Sequence, residues 1–234
     1  MTSTELSAIA VIPAAGIGQR MASQIPKQYL TCAGKPIIWH SLMRLQSCHW
    51  ISDIYVCLSP DDSYWETLIG EQFSKVTPLV GGASRAESVA NGLAIASQSH
   101  PDDTWALVHD AARPCLFRDD LNQIKKVMES CSTDGFILAD KINDTTKRTN
   151  SAGLIESTVD RSGLWRALTP QLFKLGQLST ALASHDLTSI TDEASAMEHQ
   201  GFSVNVIQGD RRNIKITQPD DLILAELYLS NELK

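Results

Sequence analysis

Near the N-terminus, the turn Pro13-Ala-Ala-Gly16-Ile-Gly18 follows an apolar run and leads to two cations, Arg20 and Lys27, the second held between Pro26 and Gln28. Glycines permit positive φ, and small side chains let backbone N–H groups approach phosphate oxygens. The turn matches neither of the two common phosphate loops. A dinucleotide fingerprint needs GxGxxG, and Met21 stands where the third glycine belongs; a GxxxxGK[ST] loop needs a Gly-Lys-Ser/Thr that the sequence lacks.

Two further clusters share this character. In Val80-Gly-Gly-Ala-Ser-Arg-Ala-Glu-Ser-Val89 a strand-like run ends at two glycines, and a helix starts near Ser84. Free N–H groups at such a start favour an anion or the polar edge of a base, with Arg85 and Ser88 in the first turns. Taken alone, Ser84 reads as an ordinary N-cap and Arg85 as a solvent-facing charge. In Leu107-Val-His-Asp-Ala-Ala-Arg-Pro114, Asp110 follows an apolar strand. A lone carboxylate there can hold Mg²⁺ against phosphate oxygens, and Arg113 can fork onto another phosphate. His109 reads as a packing or hydrogen-bonding residue. No GxSxG elbow and no Cys/His pair accompanies these residues, so covalent catalysis lacks support.

The background against which these cations stand is acidic. The 234 residues carry a formal charge of −7, which argues against nucleic acid and anionic membrane surfaces as partners. The five cysteines form no CxxC pair and read as reduced thiols of a cytoplasmic protein. The N-terminus lacks the charged region and apolar core of a signal peptide, and no run of about 18 apolar residues predicts a membrane span.

The elements that must position these clusters alternate between strand and helix. Strands are expected at Ala8–Ile12, Ile54–Leu58, Val76–Val80, Trp105–Val108, Phe136–Ala139, Ser203–Ile207 and Asn213–Ile216. Helices are expected at Ile37–Leu45, from Pro60, and at Ser84–Ser97, Asp119–Met128, Pro170–Ala183, Thr191–Gln200 and from Pro219. This rhythm predicts an α/β fold: a single Rossmann-like domain, residues 1–234, with a mostly parallel twisted sheet flanked by helices. Ligands of such sheets lie at the carboxyl ends of strands, where all three clusters fall. The polar stretch 140–163 breaks the rhythm. Its reading is a projecting β-hairpin arm, Thr145–Arg148 and Leu154–Val159 around Asn150–Gly153, inserted for dimerisation; a surface loop is the alternative.

With the clusters in this order, the chain resembles the 2-C-methyl-D-erythritol 4-phosphate cytidylyltransferase family. The likeness rests on seven ordered blocks: PAAGxGxRM…PKQY, GGxxRxxSV, VHDAARP, DTxKR, TVDRxGLWxALTPQ, TDEAS and NIKxTxPxDL. The resemblance implies CTP phosphates held by the loop of Pro13, Ala14, Ala15, Gly16 and Gly18. Gly82, Ala83, Arg85, Ser88 and Ala111 belong to the nucleotide side. It further implies that Arg20 and Lys27 stabilise the reacting α-phosphate, and that Asp110 matches the metal-associated acid. The acceptor substrate, methylerythritol phosphate, would be bound by Asp110, Arg113, Thr145, Thr169 and Thr191, with Arg161 and Lys215 in the catalytic set. Thr145 and Arg161 lie in the arm, which in the family crosses to a second subunit, so a homodimer is expected. Thr146 departs from the family's usual residue within its block and touches no expected chemistry. Rival readings are a ribitol 5-phosphate cytidylyltransferase, a Rossmann dehydrogenase and a non-catalytic nucleotide-binding protein. Leu58-Ser59 replaces the ribose-binding acid a dehydrogenase needs.

Overall fold

Alternation along β1 (Ala8–Ala14) sets the layers of the molecule. Ala8, Ala10, Ile12 and Ala14 point into one apolar cluster, Ile9 and Val11 into another, and all are buried. The computed structural model describes residues 6–16, 25–130 and 132–232. After β1 come a 3-10 turn at Lys27–Tyr29, the short pair β2 (Thr31–Cys32) and β3 (Lys35–Pro36), and helix α1 (Ile37–Gln46). Then follow β4 (Ile51–Leu58), the single turn α2 (Trp65–Leu68), β5 (Val76–Val80), α3 (Arg85–Ala96), β6 (Trp105–Val108) and α4 (Arg118–Ser130). The rest comprises β7 (Gly135–Lys141), β8 (Thr146–Thr149), β9 (Ile155–Val159), β10 (Trp165–Lys174), α5 (Leu175–Ala183), α6 (Glu193–His199), β11 (Val204–Gln208) and α7 (Pro219–Glu232).

Seven strands form one sheet in the order β11-β7-β10-β6-β1-β4-β5, parallel throughout except for β10, which runs antiparallel to both neighbours. Helices α1 and α4 cover the face of Ala10 and Ile12 with Ile38, Leu42, Leu45, Leu121, Ile124 and Met128. Helices α3, α5 and α6 cover the face of Ile9 and Val11 with Val89, Leu93, Leu178, Leu182 and Met197. The expected α/β architecture is therefore present, mostly parallel and clad on both faces. Gly92 lets α3 lie directly on β1: a Cβ there would stand 2.6 Å from Val11 Cγ1 and 3.1 Å from Cys57 Sγ.

Three expectations need correction. Pro170–Ala183 is not one helix, because β10 runs through Lys174 and α5 starts only at Leu175. Pro170 ahead of an apolar run imitates a helix start. Yet Gln171, Leu172 and Phe173 pair with β6 on one side and β7 on the other, and a strand buried on both faces has no alternation to read. Asn213–Ile216 is irregular rather than a strand; its polar groups reach sideways, as in Ile216 N–H to the Ala112 carbonyl at 2.9 Å. The helix expected from Pro60 begins at Trp65, where Asp62 Oδ1 accepts from the Tyr64 and Trp65 N–H groups.

The polar stretch does form a hairpin. β8 and β9 make a separate antiparallel pair, closed by a turn in which Asn150 Oδ1 accepts from the N–H groups of Ala152 and Leu154 and Gly153 has φ +79°. No helix among the described residues is long and apolar enough to cross a membrane.

Candidate functional site

The sheet reverses direction of growth at β1. β4 and β5 lie to one side and β6 to the other, so the loops leaving β1 and β6 diverge and open a crevice at their carboxyl ends. Two cavities of about 210 Å³ each occupy it. Arg85, Asp110 and Lys215 line both and form the wall between them.

The first cavity is floored by Pro13, Ala14, Ala15 and Gly16, with Lys27, Gly82, Ala83, Ser88 and Ala111 around it. Gly81 allows the loops after β1 and β5 to touch, since a Cβ there would lie 2.9 Å from Ala15 Cβ. Gln28, nearly inaccessible, donates from Nε2 to the Ala14 carbonyl at 2.7 Å and so ties the turn bearing Lys27 to the small-residue loop. On the far side of that turn, Tyr29 OH donates to Asp62 Oδ2 at 2.7 Å. Helix α3 starts at Arg85 with Ser84 as its N-cap, as expected. The loop ahead of α3 is internally bonded, with Gly82 N–H donating to Ser88 Oγ and Ala83 N–H to Glu87 Oε2, and within the first turn Glu87 N–H donates to Ser84 Oγ. These bonds hold the loop after β5 against the first turns of α3.

The second cavity is bounded by Arg113, Ala167, Leu168, Thr169, Gln171, Thr191 and Asp192. Strand β10 supplies Thr169 because its antiparallel register sets Gln171 opposite Val108, and two residues on, Asp110 N–H donates to Thr169 Oγ1 at 3.1 Å. His109 is fully buried, and burial pushes its imidazole down to about 4, so it is neutral. Its Nε2 faces the Arg113 carbonyl at 3.0 Å, which can only accept, so Nε2 carries the proton. Nδ1 is then an acceptor, and the Thr169 hydroxyl donates to it at 3.1 Å. Thr169 thus lines the cavity while its hydroxyl hydrogen is committed to His109. Arg113 Nη1 donates to the Asn213 carbonyl at 2.7 Å, and Asn213 Nδ2 to the Thr169 carbonyl at 2.8 Å, which closes the ring.

Asp110 is not the lone carboxylate the sequence suggested. Arg85 Nε donates to Oδ1 at 2.8 Å, Lys215 Nζ lies 2.8 Å from Oδ2, and Arg113 Nε stands 3.6 Å from Oδ2. Burial alone would raise the Asp110 carboxyl; Arg85 and then Lys215 overcome that and hold it well below the usual carboxylate range. Arg85 continues to Glu193, with Nη1 and Nη2 donating to its two oxygens at 2.6 and 2.9 Å. Burial works against the Arg85 charge, but Glu193 and then Asp110 raise its pKa and keep it a cation.

Of the remaining expected site residues, Thr145 and Arg161 are exposed and line neither cavity; Arg161 donates to the Asn143 carbonyl at the foot of the hairpin. Gly18 and Arg20 lie outside the described residues. Sequence reasoning singled out neither Glu193, although the TDEAS block contains it, nor Gln28, Gln171 and Asn213. A glutamate one residue past an N-cap reads as a favourable helix-start charge, which conceals an ion pair to a residue far earlier in the chain.

The 2-C-methyl-D-erythritol 4-phosphate cytidylyltransferase (IspD) family model matches residues 8–231. The 2-C-methyl-D-erythritol 4-phosphate cytidylyltransferase of Vibrio vulnificus strain YJ016 is 45% identical over 236 residues, which cover 99% of this chain and 98% of that protein. The enzyme of the same name from Aeromonas hydrophila is 45% identical over 234 residues, covering 99% and 93%. Among solved structures, a 4-diphosphocytidyl-2C-methyl-D-erythritol synthase superposes with a TM-score of 0.83 at 40% identity, covering 97% of this chain and 100% of that one. The Francisella tularensis 2-C-methyl-D-erythritol 4-phosphate cytidylyltransferase gives a TM-score of 0.82 at 33% identity over 95% and 99%.

Proposed function

We infer the activity from one premise: the chain belongs to the 2-C-methyl-D-erythritol 4-phosphate cytidylyltransferase family. It transfers a cytidylyl group from CTP to 2-C-methyl-D-erythritol 4-phosphate, giving 4-diphosphocytidyl-2-C-methyl-D-erythritol and pyrophosphate on a route to isoprenoids. The ribitol 5-phosphate alternative is not favoured, since the relatives and structures described above carry the methylerythritol name. The observation that carries the reading at the level of residues is the cationic wall shared by two adjoining cavities.

In this reading the first cavity takes CTP and the second the acceptor. The acceptor's phosphate monoester has a second pKa near 6, so at neutral pH its attacking oxygen is already ionised. No general base is needed, which accords with a neutral His109 whose two nitrogens are already engaged. The barrier is repulsion between two polyanions. A pair of unit charges 4 Å apart costs about 4 kcal/mol at an effective dielectric of 20, and about 1.4 kcal/mol is a tenfold rate factor. Lys27 on the nucleotide side, Arg113 on the acceptor side and Lys215 between them offset that term and align an in-line displacement of pyrophosphate, with Arg20 completing the set.

A divalent cation such as Mg²⁺ belongs to the same proposal. Asp110 is the one carboxylate among the described residues lining the first cavity, and Arg85 and Lys215 engage only part of its accepting capacity. That donor set fits a cation held mainly by nucleotide phosphates, with Asp110 adding one ligand. Bound there, the ion would neutralise charge on the phosphates. Support for a homodimer comes from the hairpin, which carries Thr145 and Arg161 away from the cavities of its own chain and exposes Leu154 and Ile155. Each arm would complete the acceptor cavity of a second copy. A cytoplasmic setting is supported by Cys32, Cys48, Cys57 and Cys115, all of them buried thiols.

Pyrophosphate release by the purified chain with CTP and Mg²⁺ tests the reading. Methylerythritol phosphate should support turnover, while ribitol 5-phosphate, or ATP in place of CTP, should not. Turnover with ribitol phosphate at an equal rate, or none with methylerythritol phosphate, would overturn it.

A further inference from the structure

Glu193 is a carboxylate with no accessible surface, at the first residue of α6, directly after Thr191 and Asp192 of the second cavity's lining but absent from both linings itself. A buried charge is retained only where a partner compensates it. Here the partner is the outer edge of the Arg85 guanidinium, gripped through both Nη atoms at 2.6 and 2.9 Å. That grip leaves the inner edge, Nε, to reach Asp110 Oδ1 at 2.8 Å. An arginine fork held at both ends cannot swing, whereas one held only at Asp110 could turn its two Nη groups onto a phosphate. The backing of Glu193 is also fixed: Asp192 caps α6 in a reciprocal pair with Ser195, and Gln171 of β10 bonds both Asp192 Oδ2 and the Ala194 N–H.

We propose that Glu193 is a positioning residue for cytidylyl transfer: by clamping Arg85 it seats Asp110 in the wall between the two cavities and keeps Arg85 from capturing the nucleotide's phosphates. The proposal rests on the cytidylyltransferase reading above. It accounts for the charge of the wall. Arg85, Arg113 and Lys215 against Asp110 and Glu193 give three positive and two negative groups, a net +1. Without Glu193 the same cluster is +2, with a mobile guanidinium facing the first cavity. Such a wall would hold triphosphate and pyrophosphate at least as tightly and turn them over more slowly.

Steady-state kinetics of Glu193→Gln, Arg85→Gln and the double variant, beside the wild type, test this. Glu193→Gln should lower kcat at least tenfold without raising the KM for CTP, and should make pyrophosphate a tighter product inhibitor by threefold or more. A group that only stabilises the fold would move none of these per folded molecule. Because Glu193 acts through Arg85, the double variant should fall within about twofold of Arg85→Gln alone. Wild-type kcat in folded Glu193→Gln, a raised KM for CTP, or losses that multiply in the double variant would overturn the proposal. If Glu193→Gln does not fold, Glu193→Asp keeps the charge but is too short to engage both Nη atoms. It should show the same split in a weaker form, and wild-type kinetics for it would overturn the proposal equally. An inactive wild type would instead remove the reading on which the proposal rests.

Discussion

His109 and Asp120 are 0% and 3% exposed, and the protein places each where its charged form is disfavoured. Burial holds the His109 imidazole down at about 4, below an ordinary 6.5, so stability is lost as pH falls from about 6.5 towards 4, where only the unfolded chain takes the proton. Asp120 has the opposite sign. Burial raises it to about 6 from 3.8, with the Asp210 N–H donating to Oδ1 and opposing the rise, so its cost is present above pH 6 and is relieved as pH falls to 3.8. Each effect amounts to about 2 kcal/mol between pH 6.5 and 4.5, and the two nearly cancel. Burial also lowers the His40 imidazole, so urea unfolding across that range should show the wild type losing some stability on acidification. Relative to the wild type, Asp120→Asn should lose about 2 kcal/mol more on acidification, and His109→Gln should lose about 2 kcal/mol less. Equal slopes in all three proteins would contradict this. Little of this was visible in the sequence. His109 reads from the sequence as a packing or hydrogen-bonding residue, but the direction its tautomer gives the Thr169 hydroxyl depends on an antiparallel strand that the sequence disguised.

At the scale of elements, α3 carries Arg85 and Ser88 to the cavities and owes its position to Gly92. Gly92→Ala should destabilise the protein by about 1–2 kcal/mol: overpacking against Val11 costs about 1–3, and alanine returns up to about 1 in helix propensity. Displacement of α3 should also lower kcat, and unaltered denaturant midpoint and turnover would refute the close approach. The element scale also decides what could be read in advance. Strands β1, β4, β5 and β6 and helices α1, α3, α4 and α7 were legible because short apolar runs end at Gly, Pro or acidic punctuation. β10 was not, since its core is apolar on both faces and opens with a proline. The sites at the ends of legible strands, Ala14–Gly16, Gly82–Ser88 and Asp110–Arg113, were found for that reason. Glu193 and Asn213 were missed because their roles come from residues brought together across long stretches of chain.

For the whole molecule, the hairpin of β8 and β9 is hydrogen-bonded to no other sheet among the described residues and leaves Leu154 67% and Ile155 65% exposed. An isolated two-stranded ribbon is marginal in water, and an apolar tip of that kind suits contact with a second copy. Leu154→Glu with Ile155→Glu should convert a dimer to a monomer in sedimentation velocity while leaving the thermal midpoint within a few degrees. Activity should fall with the dimer, because Thr145 and Arg161 would no longer reach a neighbouring cavity. A wild type that sediments as a monomer, or a variant that remains dimeric, would refute that assembly. The partition made by Arg85, Asp110 and Lys215 has a different bearing, on how such an enzyme could change its acceptor. If the two cavities take nucleotide and acceptor as proposed, any replacement in that partition alters the lodging of both ligands together, so a shift in preference towards another polyol cannot begin there without harming the nucleotide. The freedom to diverge lies on the opposite bank, at Ala167, Leu168 and Thr191, which touch the second chamber alone. New selectivities should be sought by varying those positions first.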